Sequence, residues 1–116
     1  NSRINFKAID DSGNAGNLSS SNLELGTVNH IACARITGNV FDLQYNNNSQ
    51  HTTTVTDFNN DDGFADDKLR IGNIQLGDAD THLNGDIQEI IIYNKALSNT
   101  ERDLVRNYLN RKFKIY

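Results

Sequence analysis

The sequence predicts a mainly β fold, an antiparallel sandwich with one C-terminal α-helix. Three observations predict it. Short apolar runs recur along the 116 residues at a spacing of about 8–12, with turn residues between them. The run Leu83–Tyr93 is dense in β-branched residues and is entered through Gly85. Ser98 and Glu101 then form a capping box at the head of one amphipathic helix.

Asn1–Ile9 reads as a strand with Ile4, Phe6 and Ala8 on one face and Arg3, Asn5 and Lys7 on the other. Asp10–Ser21, with Gly13 and Gly16, reads as a polar loop, and Asn22–Leu25 as a short strand closed by Gly26. Thr27–Thr37 is the next strand. Its small residues Ala32, Cys33 and Ala34 predict a tightly packed central position. Gly38-Asn39 turns the chain into Val40–Tyr45, whose alternation places Phe41, Leu43 and Tyr45 inward and Asp42 and Gln44 outward. Asn46-Asn47-Asn48 is a hairpin turn candidate, followed by a threonine-rich strand, Gln50–Thr56. Asp57–Asp67 is an acidic loop, Lys68–Ile71 a strand ending at Gly72, and Asn73–Thr81 a polar excursion.

The strand Asp86–Tyr93 carries Ile87, Glu89, Ile91 and Tyr93 on one face and Gln88, Ile90 and Ile92 on the other. Apolar residues on both faces predict cover on both sides, from a facing sheet and from the following helix. In that helix Leu104, Val105, Tyr108, Leu109 and Phe113 form the predicted docking stripe. Arg102, Arg106, Asn107, Asn110 and Arg111 fill the other positions. Arg111, Lys112 and Lys114 suit the negative end of the helix dipole.

Composition bounds the function. Net charge is -4 and the pI is near 5.2. No basic stripe exists to neutralise phosphates, which argues against nucleic-acid binding. No apolar run approaches the roughly 20 residues of a membrane span. One cysteine, Cys33, excludes an internal disulfide and reads as a small buried residue rather than a nucleophile. There is no methionine, even at the start, so the sequence reads as a processed or cropped chain. Proline and tryptophan are also absent, while asparagine occurs 18 times and supplies the turns that proline would otherwise mark.

Three segments resemble the laminin G-like, concanavalin A-like jelly-roll domains. Thr27-Val28-Asn29-His30-Ile31-Ala32 is similar to the family strand in which an aromatic residue and histidine precede an alternating run, with Val28 or Asn29 in place of tryptophan. Leu43-Gln44-Tyr45-Asn46-Asn47 resembles the tyrosine strand and its asparagine-glycine hairpin, with Asn47 in place of glycine. Leu69-Arg70-Ile71-Gly72, Leu83–Ser98 and Glu101 together resemble the closing signature, with Gln88 in place of an aspartate. The resemblance implies a jelly-roll sandwich. It also implies that residues 1–116 form one such domain without its N-terminal strands, which upstream sequence or a neighbouring chain would supply.

The chemistry of that fold finds little support in these residues. Glucanases of the same fold cleave polysaccharides with a glutamate-x-aspartate-x-x-glutamate set on one strand, and glycoside hydrolysis needs two carboxylates across the bond. The chain has three glutamates, Glu24, Glu89 and Glu101, and none fits that pattern. No catalytic residue is therefore expected, nor any cofactor-binding or metal-ligating one. Asp57, Asn59 and Asp61 have the alternate spacing of a calcium loop, but Gly63 comes one residue late and Lys68 replaces the bidentate glutamate. An EF-hand is excluded; calcium held by Asp57–Asp67 in another jelly-roll manner stays open. His30, His51 and His82 lack zinc spacing. Asn17-Leu18-Ser19 and Asn47-Asn48-Ser49 match the glycosylation pattern, as chance allows in so asparagine-rich a chain.

The expected function is non-enzymatic recognition of glycans or protein surfaces, in an extracellular or particle-surface setting. The alternatives are a structural or decoration component of a virion or other large assembly, and a fragment of a polysaccharide hydrolase. The expected contact loops are Asp10–Ser21, Asn46–Gln50, Asp57–Asp67 and Asn73–His82. Tyr45 and Phe64 are the aromatic candidates for stacking on a sugar, with a core role the stronger reading for Tyr45.

Overall fold

A computed structural model describes residues 3–20, 29–48, 50–59, 71–72, 83 and 85–116. In chain order the elements are β1 (Asn5–Ile9), β2 (Ala15–Ser19), β3 (Ala32–Thr37), β4 (Val40–Tyr45), β5 (His51–Thr54) and α1 (Asn99–Phe113). β1 and β2 make one antiparallel sheet, and β3-β4-β5 make a second. Phe41 and Leu43 of β4 are fully buried and pack with Leu18 and Phe58. Ile4, Phe6, Ala8, Ile36 and Val55 close around them. Each large apolar side chain so buried stabilises by about 1.5–3 kcal/mol. The rings of Phe6 and Phe58 lie 5.9 and 4.7 Å from that of Phe41, the latter edge-on.

The segment expected as a loop at Asp10–Ser21 contains β2. Its sequence, Ala15-Gly16-Asn17-Leu18-Ser19, has no β-branched residue and a weak strand propensity. Packing explains it. A Cβ on Gly16 would stand 2.4 Å from Phe41 Cε1, so glycine is what lets β2 cross the inner face of β4. Leu18 supplies the apolar contact two residues on. Between β1 and β2, Gly13 turns the chain at φ 87. Gly38, at φ 59, opens the two-residue β3–β4 turn in the manner of a type II′ hairpin.

β3 occupies an edge of the described three-stranded sheet, and β4 is its centre, which reverses the expected position of β3. Ala32 and Ala34 are exposed there, and Cys33 is half-buried. β4 keeps its expected bounds and its inward trio. Asp42, expected outward, does point away from the Phe41 core but is only 2 % exposed. It accepts from Arg35 Nε at 2.7 Å and from Arg102 Nη1 at 3.0 Å. Arg35 Nη1 also donates to the Leu97 carbonyl at 2.6 Å. These contacts seat α1 on the outer face of β3–β4 and make a third layer.

α1 begins as expected. Ser98 Oγ accepts from the Glu101 N–H at 3.2 Å, and the Glu101 carboxylate accepts from the Ser98 N–H at 2.8 Å. Lys114 ends it in left-handed conformation, its N–H bonded to the Asn110 carbonyl. The buried face differs from the expected stripe. Arg102 and Arg106 are buried, while Leu104 is 64 % exposed and Tyr108 is also exposed. Val105, Leu109 and Phe113 are half-buried. Asp42 gives the reason: a buried carboxylate without a cation costs several kcal/mol, so the helix turns its arginine flank to the sheet.

The largest departure concerns 86–93. This segment was expected as a strand covered on both faces. Among the described residues it makes no ladder and no backbone hydrogen bond, and Ile87, Ile90, Ile91, Ile92 and Tyr93 are all exposed. The strands expected at Asn22–Leu25 and Lys68–Ile71 lie outside the described residues, apart from Ile71 itself, which is exposed.

Gly16→Ala should test how β2 is seated. The new methyl group meets the fully buried Phe41 ring, and overpacking of that kind costs about 1–3 kcal/mol. Urea unfolding followed by tyrosine fluorescence should show a lowered midpoint. An unchanged midpoint would mean that β2 does not cross Phe41 as described.

Candidate recognition surface

The exposed 86–93 segment and the flank of α1 together form a groove. Glu89, Ile91, Tyr93, Leu104, Val105 and Tyr108 line a shallow cavity of about 430 Å³. A second, of about 350 Å³, continues it toward the helix start and adds Lys95, Leu97 and Glu101 to the shared Tyr93, Leu104 and Val105. The floor is apolar because α1 has given its arginine flank to the sheet, which leaves Leu104 and Tyr108 facing the isoleucine run.

Ion pairs close both ends. At one end Lys112 Nζ lies 2.9 Å from Glu89 Oε2 and donates to Tyr108 Oη at 3.1 Å, while Tyr108 reaches Glu89 Oε1 at 3.5 Å. The Lys112 ammonium also sits 5.4 and 5.2 Å from the Tyr108 and Phe113 ring centroids. The Tyr108 hydroxyl, then Glu89, raise the Lys112 pKa above its ordinary value. At the other end Lys95 Nζ meets Glu101 Oε1 at 2.7 Å. That bond, with the two Ser98 cap bonds, pulls the Glu101 carboxyl from 4.5 down to about 2. Both described glutamates thus act as anchors of the helix.

The loops are held by their own side chains. Asp10, almost fully buried, accepts from the Asn14 N–H at 2.7 Å, from Asn14 Nδ2 at 3.0 Å and from the Asn59 N–H at 3.0 Å. These bonds, that from Asn59 foremost, hold its carboxyl below the usual range. Asn14 Nδ2 also donates to the Asp57 carbonyl at 2.9 Å, so 10–14 and 57–59 are laced together. Asn46, at φ 47, accepts from the Ile31 N–H at 2.8 Å and places its Nδ2 3.1 Å from His30 Nδ1.

The residues singled out in the sequence fall as follows. Tyr45 is buried and stacks on His51 at 5.9 Å, so it belongs to the core. Phe64, Glu24, His82, the loop Asn73–His82 and all of Asp57–Asp67 beyond Asn59 lie outside the described residues. Among the described residues, no group of three or more His, Cys, Asp and Glu side chains could hold a metal. Asn17 and Asn47 are both exposed. Burial pushes the Cys33 thiol pKa up, partly offset by Arg106 and Arg102. Sequence reasoning missed Asp42, Arg102 and Arg106. A lone aspartate between Phe41 and Leu43, and two arginines four apart on one helix, were the available signals.

With this geometry in place, the family profile decides membership. The laminin G-like profile of the concanavalin A-like lectin/glucanases superfamily matches residues 1–101. The chain belongs to this superfamily. Its two antiparallel sheets are accordingly those of a jelly-roll sandwich with one C-terminal helix. Comparisons with curated proteins and with solved structures returned no match. The laminin G-like match ends within the first turn of α1, so Arg102 and Arg106 lie beyond it. The superfamily embraces lectins and glucanases alike. Among the described residues, no helix is long and apolar enough to cross a membrane.

The Glu101 cap has a pH signature. Its folded pKa lies below the ordinary value, so the stabilisation is complete above pH 4.5 and fades as pH falls toward about 2. An NMR titration of the Glu101 carboxyl should give a midpoint near 2, with fraying of the first turn of α1 over the same range. A midpoint near 4.5 would show that the Lys95 and Ser98 bonds are not formed in solution.

Proposed function

We propose that this protein is a non-enzymatic recognition module that binds glycans or protein surfaces in an extracellular or particle-surface setting. The exposed apolar run from Ile87 to Tyr93, lying beside an apolar groove on α1, carries the reading. Contiguous apolar surface of this kind marks a place where something binds. The two described glutamates support it. A glycoside hydrolase needs an acid and a second carboxylate facing one bond. Here Glu89 is paired with Lys112, and Glu101 is committed to the helix cap and Lys95.

The backbone of 86–93, unpaired among the described residues, favours a second reading, in which the domain is a structural or decorating part of a larger assembly. An eight-residue run without ladder bonds among the described residues offers its N–H and C=O groups to another strand. In both readings this run is covered by a further strand, from elsewhere in the polypeptide or from a neighbouring chain. The apolar side chains left wet without it are worth about 1.5–3 kcal/mol each, against a whole domain stability of roughly 5–15 kcal/mol.

Sedimentation of residues 1–116 alone, with the Ile90→Lys, Ile92→Lys variant beside it, tests the completion. The unaltered chain should self-associate or aggregate, and the charged variant should do so less. A monodisperse monomer with one sharp thermal transition would show that the chain closes its own core. On the completed domain, a glycan array with and without calcium separates the ligand classes. No binding at millimolar sugar would remove the glycan half of the reading.

A further inference from the structure

Among the described residues, the compartment between α1 and the outer face of β3–β4 holds more positive charge than its carboxylates balance. The side chains of Arg35, Arg102 and Arg106 are 15, 9 and 10 % exposed. Asp42 is the one fully buried carboxylate described there, and Arg35 and Arg102 share it. Asp103 is half-exposed and reaches Arg106 Nη2 only at 3.4 Å. Arg102 Nε, Arg106 Nε and Arg106 Nη1 are buried without a hydrogen-bond partner among the described residues.

These donors stand together. Arg102 and Arg106 are four residues apart on one helix face, which sets them side by side. Cys33 lies two residues from Arg35 on β3 and so shares its outer face. It pairs across the ladder with Gln44, whose Oε1 is also buried and without a partner. A glutamine oxygen is neutral and brings no negative charge to set against the guanidiniums.

We propose that this compartment binds one small oxyanion, held by Arg106 and Arg102 against the Cys33–Gln44 pair. A guanidinium presents parallel N–H groups that match two oxygens of a carboxylate or phosphate. The anion balances the surplus charge and adds a second tie between α1 and the sheet beside the Asp42 pairs. It is a site separate from the isoleucine face and its groove.

Equilibrium dialysis of the full chain against radiolabelled inorganic phosphate, at low ionic strength, tests the proposal. The expected result is one saturable phosphate per chain, weakened about tenfold or more by Arg106→Gln. Arg111→Gln, which removes an exposed cation from the same helix, should leave binding unchanged. Acetate that displaces phosphate at equal concentration would assign a carboxylate as the preferred anion; failure to displace it would assign phosphate. Absence of saturable binding, or an equal loss in both variants, would overturn the proposal. If Arg106→Gln does not fold, the rate of Cys33 labelling by a thiol reagent decides on the unaltered chain. Phosphate should slow labelling relative to chloride at matched ionic strength, and identical rates would overturn the site.

Discussion

The buried carboxylate of Asp42 is the constraint on which the arrangement of the layers depends. It lies on the central strand of the larger sheet, on the face away from the Phe41 core, where no water can solvate it. Arg35, its cross-strand partner, supplies one cation from within the sheet. Arg102 supplies the other from the helix. A buried ion pair of this kind adds little net stability over an apolar isostere, yet breaking it costs about 3–5 kcal/mol. Its effect is therefore to specify. Of the rotations open to an amphipathic helix on this sheet, only one brings Arg102 over Asp42.

That rotation shapes the surface. With the arginine flank turned inward, Leu104 and Tyr108 are left beside Ile91 and Tyr93, and the groove follows. The two lysine–glutamate pairs at its ends then lock segment and helix together without filling the space between them. The apolar face is thus a consequence of charge placement in the layer beneath. The opposite sandwich layer is organised differently, by the Phe41 ring lying on Gly16 and by the Asp10 hydrogen bonds that lace two loops.

The parts that were legible in the sequence are those decided locally. The Ser98–Glu101 box, the bounds of β4 and the Gly38-Asn39 turn depend on neighbours a few residues away. What was not legible depends on partners far along the chain. Arg102 meets Asp42 across 60 residues, so a stripe counted on apolar residues alone gave the helix the wrong inner face. β2 exists because Gly16 clears Phe41, and its own residues carry almost no strand signal. The isoleucine run was plainly apolar, but periodicity does not say which elements cover it. The family signature lay largely in that run and in the cap, so membership was readable while the candidate surface was not.

Hydrogen exchange of the α1 amides tests the Asp42 account most directly. It would be measured in the unaltered protein, Asp42→Asn, Arg102→Met and the double variant. The account predicts that Asp42→Asn lowers protection across α1 by more than about a hundredfold while the β4–β5 ladder keeps most of its own. The double variant should be no worse than the worse of the two single ones, because the pair acts as a unit. Unchanged α1 protection in Asp42→Asn, or two single effects that simply add, would contradict it.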